Sequence, residues 1–153
     1  MTVYKWTYQT VLGAVTIGAT DDHIAYLKMH DACGGEFKET EIIQTAHLQL
    51  MAYLSGKRQD FDLSLQLKGT EFQQRVWRAS CEIPFGQTMS YKELAELIGH
   101  PKAIRAVGAA NGANPIYIII PCHRIIGTNG SLTGYGGGLE MKEKLLKLEG
   151  VDF

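Results

Sequence analysis

The stretch NPIYIIIPCHR, residues 114–124, places five apolar residues between two prolines and follows them with a cysteine, a histidine and an arginine. A short apolar run bounded by prolines predicts a buried extended segment. Proline fixes its own φ and favours extended geometry in the residue before it, so Cys122 should leave this segment from a stiff backbone. A thiol at the rim of a rigid core segment, with an imidazole beside it, is suited to act as a nucleophile. The alternative is that Cys122 is a small buried hydrophobic residue, as free cysteines commonly are.

The overall composition is that of an ordinary globular chain. Its 153 residues are 45% hydrophobic and 20% charged, with a net charge of -1. No apolar run approaches the roughly 20 residues of a membrane span, and the N-terminus lacks the apolar core of a secretion signal. The three cysteines lie far apart, which argues against a disulfide framework and favours a reducing, cytoplasmic compartment. The histidines match no zinc-binding spacing, so we expect no metal.

The first part of the chain predicts a small α/β lobe. Alternating apolar and polar residues, rich in β-branched and aromatic types, predict an antiparallel sheet. The predicted strands cover residues 3–8, 12–17, 24–29 and 60–67. Residues 31–37 should form a loop, and a helix is expected over residues 38–55. No pattern in this lobe indicates a reactive site, so we interpret residues 1–68 as a scaffold.

Capping boxes mark the start of two helices in the second part of the chain. Thr70 is followed three residues later by Gln73, and Ser90 is followed in the same way by Glu93. In each box the hydroxyl and the longer side chain satisfy backbone N–H groups that the first helical turn leaves unpaired. Both helices should therefore begin at these positions.

A helix-turn-helix is expected after the second capping box. Gly99 should end the first of its helices, and Pro101 suits the start of a second helix over residues 102–111. A last helix is expected over residues 139–149, with Met141, Leu145 and Leu148 buried. The predicted fold class is therefore α+β, with a small N-terminal lobe of antiparallel sheet and helix and a mostly helical C-terminal domain, residues 69–153.

The charge distribution favours a polyanionic partner for the C-terminal part. Residues 97–139 contain no carboxylate side chain, whereas Lys102, Arg105 and Arg124 lie within them. An acid-free, mildly basic face suits DNA. The helix over residues 102–111 consists largely of alanine and glycine. It could pack tightly against another helix, or it could let a DNA backbone approach closely, with Arg105 as the one long side chain.

Together these motifs resemble the O6-alkylguanine-DNA alkyltransferases, also called methylated-DNA–protein-cysteine methyltransferases. The resemblance is dense from about Gly69 to Gly150 and only architectural before that. The motifs that carry it are Ser90-Tyr91, Arg105-Ala106-Val107-Gly108, Asn114-Pro115, Pro121-Cys122-His123-Arg124, Gly134-Tyr135, Lys142-Glu143 and Glu149-Gly150. The resemblance implies DNA repair by irreversible transfer of an alkyl group from O6-alkylguanine in double-stranded DNA to Cys122. One protein molecule should repair one lesion.

The resemblance assigns the chemistry of transfer to five residues, Cys122, His123, Glu149, Tyr91 and Asn114. Cys122 is the nucleophile, because a thiolate attacks carbon. His123 takes the thiol proton, and Glu149 holds the imidazole in the right tautomer. Tyr91 donates a hydrogen bond or a proton to the departing guanine, and Asn114 fixes the turn beside the thiol. Without the resemblance, Glu149 would be interpreted as a solvated carboxylate and Tyr91 as an amphipathic residue at the edge of the core.

A base that stays stacked in the duplex cannot reach a thiol in the protein, so the resemblance implies base flipping. Arg105 would fill the vacated space, although a plain phosphate contact is the alternative. The residues expected to contact DNA are Arg105, Arg124, Ala106, Lys102 and Ser90. Those expected to form the base pocket are Tyr135, Gly136 and Ile125. Gly136 stands where some relatives carry serine, so there only its backbone N–H could contact the lesion.

The resemblance further implies a monomer that needs no cofactor and no metal, and it allows O4-alkylthymine as a minor substrate. A damage sensor that flips alkylated bases without reacting is the alternative. Relatives of that kind lack the cysteine, so Cys122 disfavours this alternative. A cysteine hydrolase built on Cys122 and His123 would need an oxyanion site, and no motif in the sequence indicates one.

Overall fold

The computed structural model describes residues 2–31, 34–132, 135 and 137–152. The chain divides into two compact units, Met1–Lys68 and Gly69–Phe153. The architecture is α+β, as predicted, with the sheet in the first unit and most helices in the second. Within the described residues, no helix is both long enough and apolar enough to cross a membrane.

The first unit is a four-stranded sheet with one helix packed against it. Its elements are β1 (Tyr4–Thr10), β2 (Gly13–Ala19), β3 (Ile24–Met29), β4 (Glu36–Phe37) and α1 (Glu41–Leu54). The strand order is β3-β2-β1-β4, in which β1, β2 and β3 form the predicted antiparallel meander and β4 runs parallel to β1. Val15 and Ile17 of β2 are fully buried, as are Ile43 and Leu50 of α1. Burial of these apolar side chains holds the sheet and the helix together.

Two predictions for this unit are wrong. Residues 60–67 are not a strand, because they form only one bridge, between Leu65 and Ile24. Alternation indicates an extended backbone, but it does not show whether a neighbouring strand is available along its length. The predicted loop over residues 31–37 contains β4, whose two residues pair with the end of β1. A two-residue strand is too short to leave a periodic pattern.

The second unit contains four α-helices and one short parallel strand pair among its described residues. These elements are α2 (Glu71–Ser80), β5 (Met89–Ser90), α3 (Tyr91–Leu97), α4 (Ile104–Gly112), β6 (Ile125–Ile126) and α5 (Leu139–Leu148). Both capping boxes are confirmed. Thr70 and Gln73 exchange hydrogen bonds before α2, and Ser90 and Glu93 do so before α3.

The turn between α3 and α4 differs in part from the prediction. Gly99 has φ +82°, so it ends α3 in the left-handed conformation expected of glycine. However, α4 begins at Ile104, because Pro101 and Lys102 belong to the turn that the Ala103 N–H to His100 C=O bond closes at 2.9 Å. The prediction that the second helix starts at residue 102 is therefore wrong by two residues.

Helix α5 buries a different set of side chains from the one predicted. Met141 and Leu145 are buried as expected, whereas Leu148 is only half-buried. Lys142 and Leu146 take the remaining buried positions. The buried face therefore includes a lysine, which the apolar pattern alone did not identify.

The apolar run before Cys122 is buried but not extended. Ile116 and Ile120 are fully buried, and a backbone bond of 3.1 Å from the Ile120 N–H to the Ile116 C=O closes a turn between them. Ile118, within this turn, has φ +73°. A β-branched residue in the left-handed region costs about 1–2 kcal/mol, so the rest of the segment must hold this conformation. The prediction of an extended segment is therefore wrong.

Asn114 supplies the bonds that hold this turn. Its Nδ2 donates to the Ile120 C=O at 3.0 Å, and its Oδ1 accepts from the Ile116 N–H at 2.8 Å. Asn114 is 1% exposed, so water cannot replace either bond. A single amide side chain therefore connects both ends of the strained turn. The turn ends at Ile120, and only Pro121 separates it from Cys122.

Replacing Asn114 should unfold this turn first. Asn114→Ala leaves the buried Ile116 N–H without its partner and removes one of the two bonds that the Ile120 C=O accepts, so we expect the free energy of unfolding to fall by about 1–3 kcal/mol. Urea denaturation measures the change. Oδ1 of Asn129 accepts a similar local bond from the Ser131 N–H, but in an exposed turn, so Asn129→Ala should cost less than about 0.5 kcal/mol. Equal effects of the two replacements would contradict the role of Asn114.

Candidate active site

Cys122 opens a three-residue 3-10 helix, Cys122–Arg124, immediately after the strained turn. Its N–H donates to the Ile120 C=O at 2.7 Å, and the residue is 0% exposed. The backbone of the nucleophile candidate is therefore fixed on its N-terminal side. A thiol in such a place reacts only if its surroundings stabilise the thiolate and accept its proton.

His123 is the residue placed to accept that proton. Its Nε2 lies 2.7 Å from Oε2 of Glu149, and both residues are buried. Within the described part of the chain, Nδ1 of His123 has no hydrogen-bond partner. Burial lowers the pKa of His123, and the hydrogen bond and charge of Glu149 act against that effect without cancelling it. The imidazole is therefore neutral at pH 7.

The carboxylate of Glu149 determines which nitrogen of His123 carries the hydrogen. It also accepts from the Arg124 guanidinium, with Nε 2.8 Å from Oε1 and Nη2 2.9 Å from Oε2, and from the Gly86 N–H at 3.0 Å. An ionised carboxylate can only accept hydrogen bonds, so Nε2 of His123 must donate. The lone pair of the neutral ring then lies on Nδ1, where a proton acceptor needs it.

Arg124 does not occupy the place expected of a DNA contact. The residue is 7% exposed, and its third hydrogen bond runs from Nη1 to the Ile83 C=O at 2.6 Å. With Nε and Nη2 paired to Glu149 and Nη1 bonded to the Ile83 C=O, the guanidinium is directed into the protein. The expectation that Arg124 contacts DNA is therefore corrected: it neutralises and orients Glu149. A buried carboxylate needs a cationic partner. Once Glu149 was assigned as the acid that orients His123, the sequence therefore required a cation beside it, and Arg124 follows His123 directly.

Lys142 is a site residue that the sequence reasoning left without a role. It is 0% exposed, and its Nζ donates to the Ile125 C=O at 2.5 Å. Burial lowers the pKa of Lys142 to about 8, and the charge of Cys122 acts in the opposite direction. Because its Nζ is bonded to Ile125, three residues after Cys122, Lys142 is a candidate to stabilise a Cys122 thiolate. Lys142 lies between Met141 and Leu145 on the apolar face of α5, and this position in the sequence indicated a buried lysine.

Two of the three predicted pocket residues lie beside this group. Ile125 follows the 3-10 helix directly and is fully buried. The ring of Tyr135 stands edge-on to the His123 imidazole, with 6.4 Å between centroids, and lies 5.7 Å from the ring of Tyr117. Gly136 lies outside the described residues.

Pairing of β5 with β6 brings the start of α3 to the same place. Met89 pairs with Ile125, and Ser90 pairs with Ile126, so Tyr91 begins α3 next to the segment that follows Cys122. A Cβ at Gly108 of α4 would lie 3.9 Å from the Tyr91 ring, which places that ring against α4.

The exposed side of α4 carries the remaining predicted DNA contacts. Arg105 and Ala106 are exposed, as is Lys102 in the preceding turn, whereas Val107 and Ala110 face the core. Ser90 is 8% exposed, and its Oγ accepts the Glu93 N–H. Its hydroxyl hydrogen stays available as a donor.

In residues 2–31, 34–132, 135 and 137–152, no three His, Cys, Asp or Glu side chains are placed to hold a metal ion.

Comparison with known proteins gives one family for the whole chain. Residues 3–67 match the family model of the 6-O-methylguanine DNA methyltransferase ribonuclease-like domain, and residues 71–151 match that of the DNA binding domain. Methylated-DNA–protein-cysteine methyltransferase of Mycolicibacterium paratuberculosis is 49% identical over 150 residues, which are 93% of this chain and 91% of the relative. The protein of the same name from Methanosarcina barkeri is 60% identical over 109 residues, 71% of this chain and 69% of the relative.

Solved structures agree with the sequence relatives. The crystal structure of Mycobacterium tuberculosis OGT in complex with DNA has a TM-score of 0.88 at 44% identity, and the match covers 97% of this chain and 92% of that one. The fold of both units is therefore shared with a relative that has been crystallised with DNA.

The buried charges predict a large cost for removing one of them. Glu149→Gln leaves the Arg124 guanidinium without its counter-charge, so the free energy of unfolding should fall by about 3–5 kcal/mol. Glu140, on the same helix, has only an exposed contact of 3.4 Å to Lys144, and Glu140→Gln should change it by less than about 0.5 kcal/mol. Urea denaturation measures both.

A double replacement separates charge from shape. Arg124→Met combined with Glu149→Gln removes both charges, so it should recover part of the stability that Glu149→Gln alone loses. Strictly additive losses in the double variant would contradict a coupled pair.

Proposed function

We propose that this chain, which belongs to the 6-O-methylguanine DNA methyltransferase family, repairs DNA by transferring the alkyl group of O6-alkylguanine to Sγ of Cys122. One observation supports this function most directly. The His123 imidazole next to Cys122 donates Nε2–H to Glu149 at 2.7 Å, and its Nδ1 is left without a partner among the described residues. This is the arrangement of a thiol, a base and an orienting acid.

The proposed reaction is a displacement at carbon. The Cys122 thiol gives its proton to Nδ1 of His123, directly or through a water, and the thiolate attacks the alkyl carbon. The S–C bond forms as the C–O6 bond breaks, and the bonding electron pair moves to the guanine. A proton from Tyr91 neutralises the purine as it leaves, and solvent restores the tyrosine hydroxyl. The thioether product has no good leaving group, so the protein is consumed after one transfer.

Lys142 and Asn114 prepare the sulfur for this step. The Lys142 ammonium, held at the Ile125 C=O, stabilises the thiolate. Asn114 fixes the turn from which Cys122 emerges. Neither residue needs to touch the substrate.

The proposed DNA interface is the exposed side of α4. Because Cys122 is fully buried, the alkylated base has to leave the duplex and enter the protein. Arg105 would take the place of the flipped base, Ala106 would let the DNA backbone approach, and Lys102 would pair with a phosphate. Ser90 keeps a hydroxyl hydrogen for a second phosphate contact.

The proposed base pocket consists of the backbone of residues 122–125 with Tyr135; the contact expected of Gly136 stays a prediction from the sequence. Residues 1–68 act as a scaffold, and residues 69–153 perform DNA binding and transfer. We also propose that the protein acts as a monomer. Because the free Cys122 thiol has to stay reduced for the reaction, a reducing, cytoplasmic compartment suits it.

Transfer of a labelled methyl group tests the function. Wild-type protein is incubated with duplex DNA that carries a labelled methyl on guanine O6, then digested, and the label is located. We expect it only on the peptide containing Cys122, at no more than one methyl per protein molecule. Cys122→Ala should take up none, whereas Cys81→Ala, which removes an exposed free cysteine, should take up as much as wild type. Unlabelled protein with intact lesions, or continuing turnover, would contradict the proposal.

The pH dependence of transfer tests the role of Lys142. With a pKa lowered to about 8, the lysine is an ammonium below that pH and a neutral amine above it. The charge that stabilises the thiolate is therefore present at pH 7 and lost as pH rises through about 8. Lys142→Met should slow transfer at pH 7 by roughly 10-fold or more, and its rate should lack the wild-type change near pH 8.

Free O6-benzylguanine serves as the substrate, because its reaction does not depend on DNA binding. Lys144→Met removes an exposed lysine from the same helix and should leave both the rate and its pH profile unchanged. A Lys142→Met protein with the wild-type rate at pH 7 would contradict the role of the ammonium.

A further inference from the structure

We propose that Arg75 of α2 is a positioning residue for DNA repair, because it fixes the turn that places α4 and Arg105. The proposal rests on the proposed function, in which α4 faces DNA. Arg75 is exposed and lies outside the catalytic group. It acts through the turn and not on the substrate.

Arg75 makes two bonds to the turn between α3 and α4. Its Nη2 donates to the Ile98 C=O at 2.7 Å, and its Nη1 lies 3.1 Å from Nε2 of His100. Ile98 is the residue that caps the C-terminus of α3, where backbone carbonyls lack partners within the helix. The ring of Phe72, also on α2, stands edge-on to the His100 imidazole with 5.8 Å between centroids.

The chemistry of these two bonds requires arginine and an imidazole nitrogen that accepts a hydrogen bond. A guanidinium only donates, so Nε2 of His100 must accept, and its hydrogen lies on Nδ1. The two bonds use different nitrogens of one planar group, which fixes the carbonyl and the imidazole relative to each other. A lysine at this position could reach one of them but could not hold both in a fixed geometry.

The position of this contact explains why it matters for α4. Trp77 of α2 donates its Nε1–H to the Ala110 C=O at 2.8 Å, near the C-terminal end of α4. Arg75 holds the turn before the N-terminal end. α2 therefore bonds to α4 directly near its C-terminal end and to the turn that precedes its N-terminal end, and Arg105 is the second residue of α4. Loss of the Arg75 bonds would release the end that carries Arg105 and Lys102, while the core contact of Trp77 remains.

Matched variants measure this effect on two substrates. Single-turnover rates are compared for duplex DNA with O6-methylguanine and for free O6-benzylguanine. Arg75→Ala should slow the duplex reaction by roughly 5–20-fold, with the free-base rate unchanged within about 2-fold. Arg78→Ala removes an exposed arginine from the same helix, whose Nη2 contacts only Gln74 at 3.1 Å among its described bonds, and should change neither rate.

The His100 variants show whether Arg75 acts through the turn. His100→Gln keeps an acceptor oxygen and should retain most of the duplex rate, whereas His100→Leu should slow it. Adding Arg75→Ala to His100→Leu should cause little further loss, because both remove the same contact. Additive losses in that double variant would overturn the proposal.

The salt dependence of duplex binding tests whether Arg75 itself contacts a phosphate. If Arg75 itself bound a phosphate, Arg75→Ala would reduce the slope of log K against log salt by about 0.9. His100→Leu is the reference, because it loosens the same turn and keeps the Arg75 charge. A slope for Arg75→Ala equal to that of His100→Leu supports the positioning role, and a slope lower than that of His100→Leu by about 0.9 overturns it. Equal slowing on both substrates would also overturn it. Wild-type protein that takes no alkyl group from either substrate would instead refute the proposed function.

Discussion

The buried carboxylate of Glu149 is the group on which the site depends. It accepts hydrogen bonds from His123, from two nitrogens of Arg124 and from the Gly86 backbone. Burying a carboxylate is costly unless its oxygens are fully bonded, and here four donors surround it. The same bonds connect the end of α5, the 3-10 helix of Cys122 and the turn at Gly86. The acid that orients the base therefore also fixes the segment that carries the nucleophile.

Electrostatic balance around the sulfur follows from this arrangement. Arg124 neutralises Glu149, so burial lowers the pKa of His123 despite its acidic partner. A neutral His123 can accept a proton, which an imidazolium could not. Lys142 then provides the positive charge next to Cys122. In the proposed reaction the three charged groups have separate roles: Glu149 orients the base, Arg124 compensates the acid and Lys142 stabilises the thiolate.

Sequence reasoning identified the elements with local signals and missed those that depend on tertiary partners. The capping residue Ser90 and the stop at Gly99 were predictable because each acts within a few residues of chain. The left-handed turn at Ile118 was not, since it depends on the buried amide of Asn114 and on a backbone bond between Ile116 and Ile120. Arg124 looked like a DNA contact until the structure placed it against a carboxylate that lies 25 residues away in the chain.

The tautomer of His123 is the most direct test of this account. Imidazole nitrogen NMR shifts of protein labelled with ¹⁵N-histidine, with His123 assigned by its replacement with asparagine, show which nitrogen carries the hydrogen. At neutral pH, Nε2 should be protonated and Nδ1 should be a bare acceptor. A hydrogen on Nδ1, or an imidazolium protonated on both nitrogens, would contradict the account, because neither form could take the Cys122 proton at Nδ1.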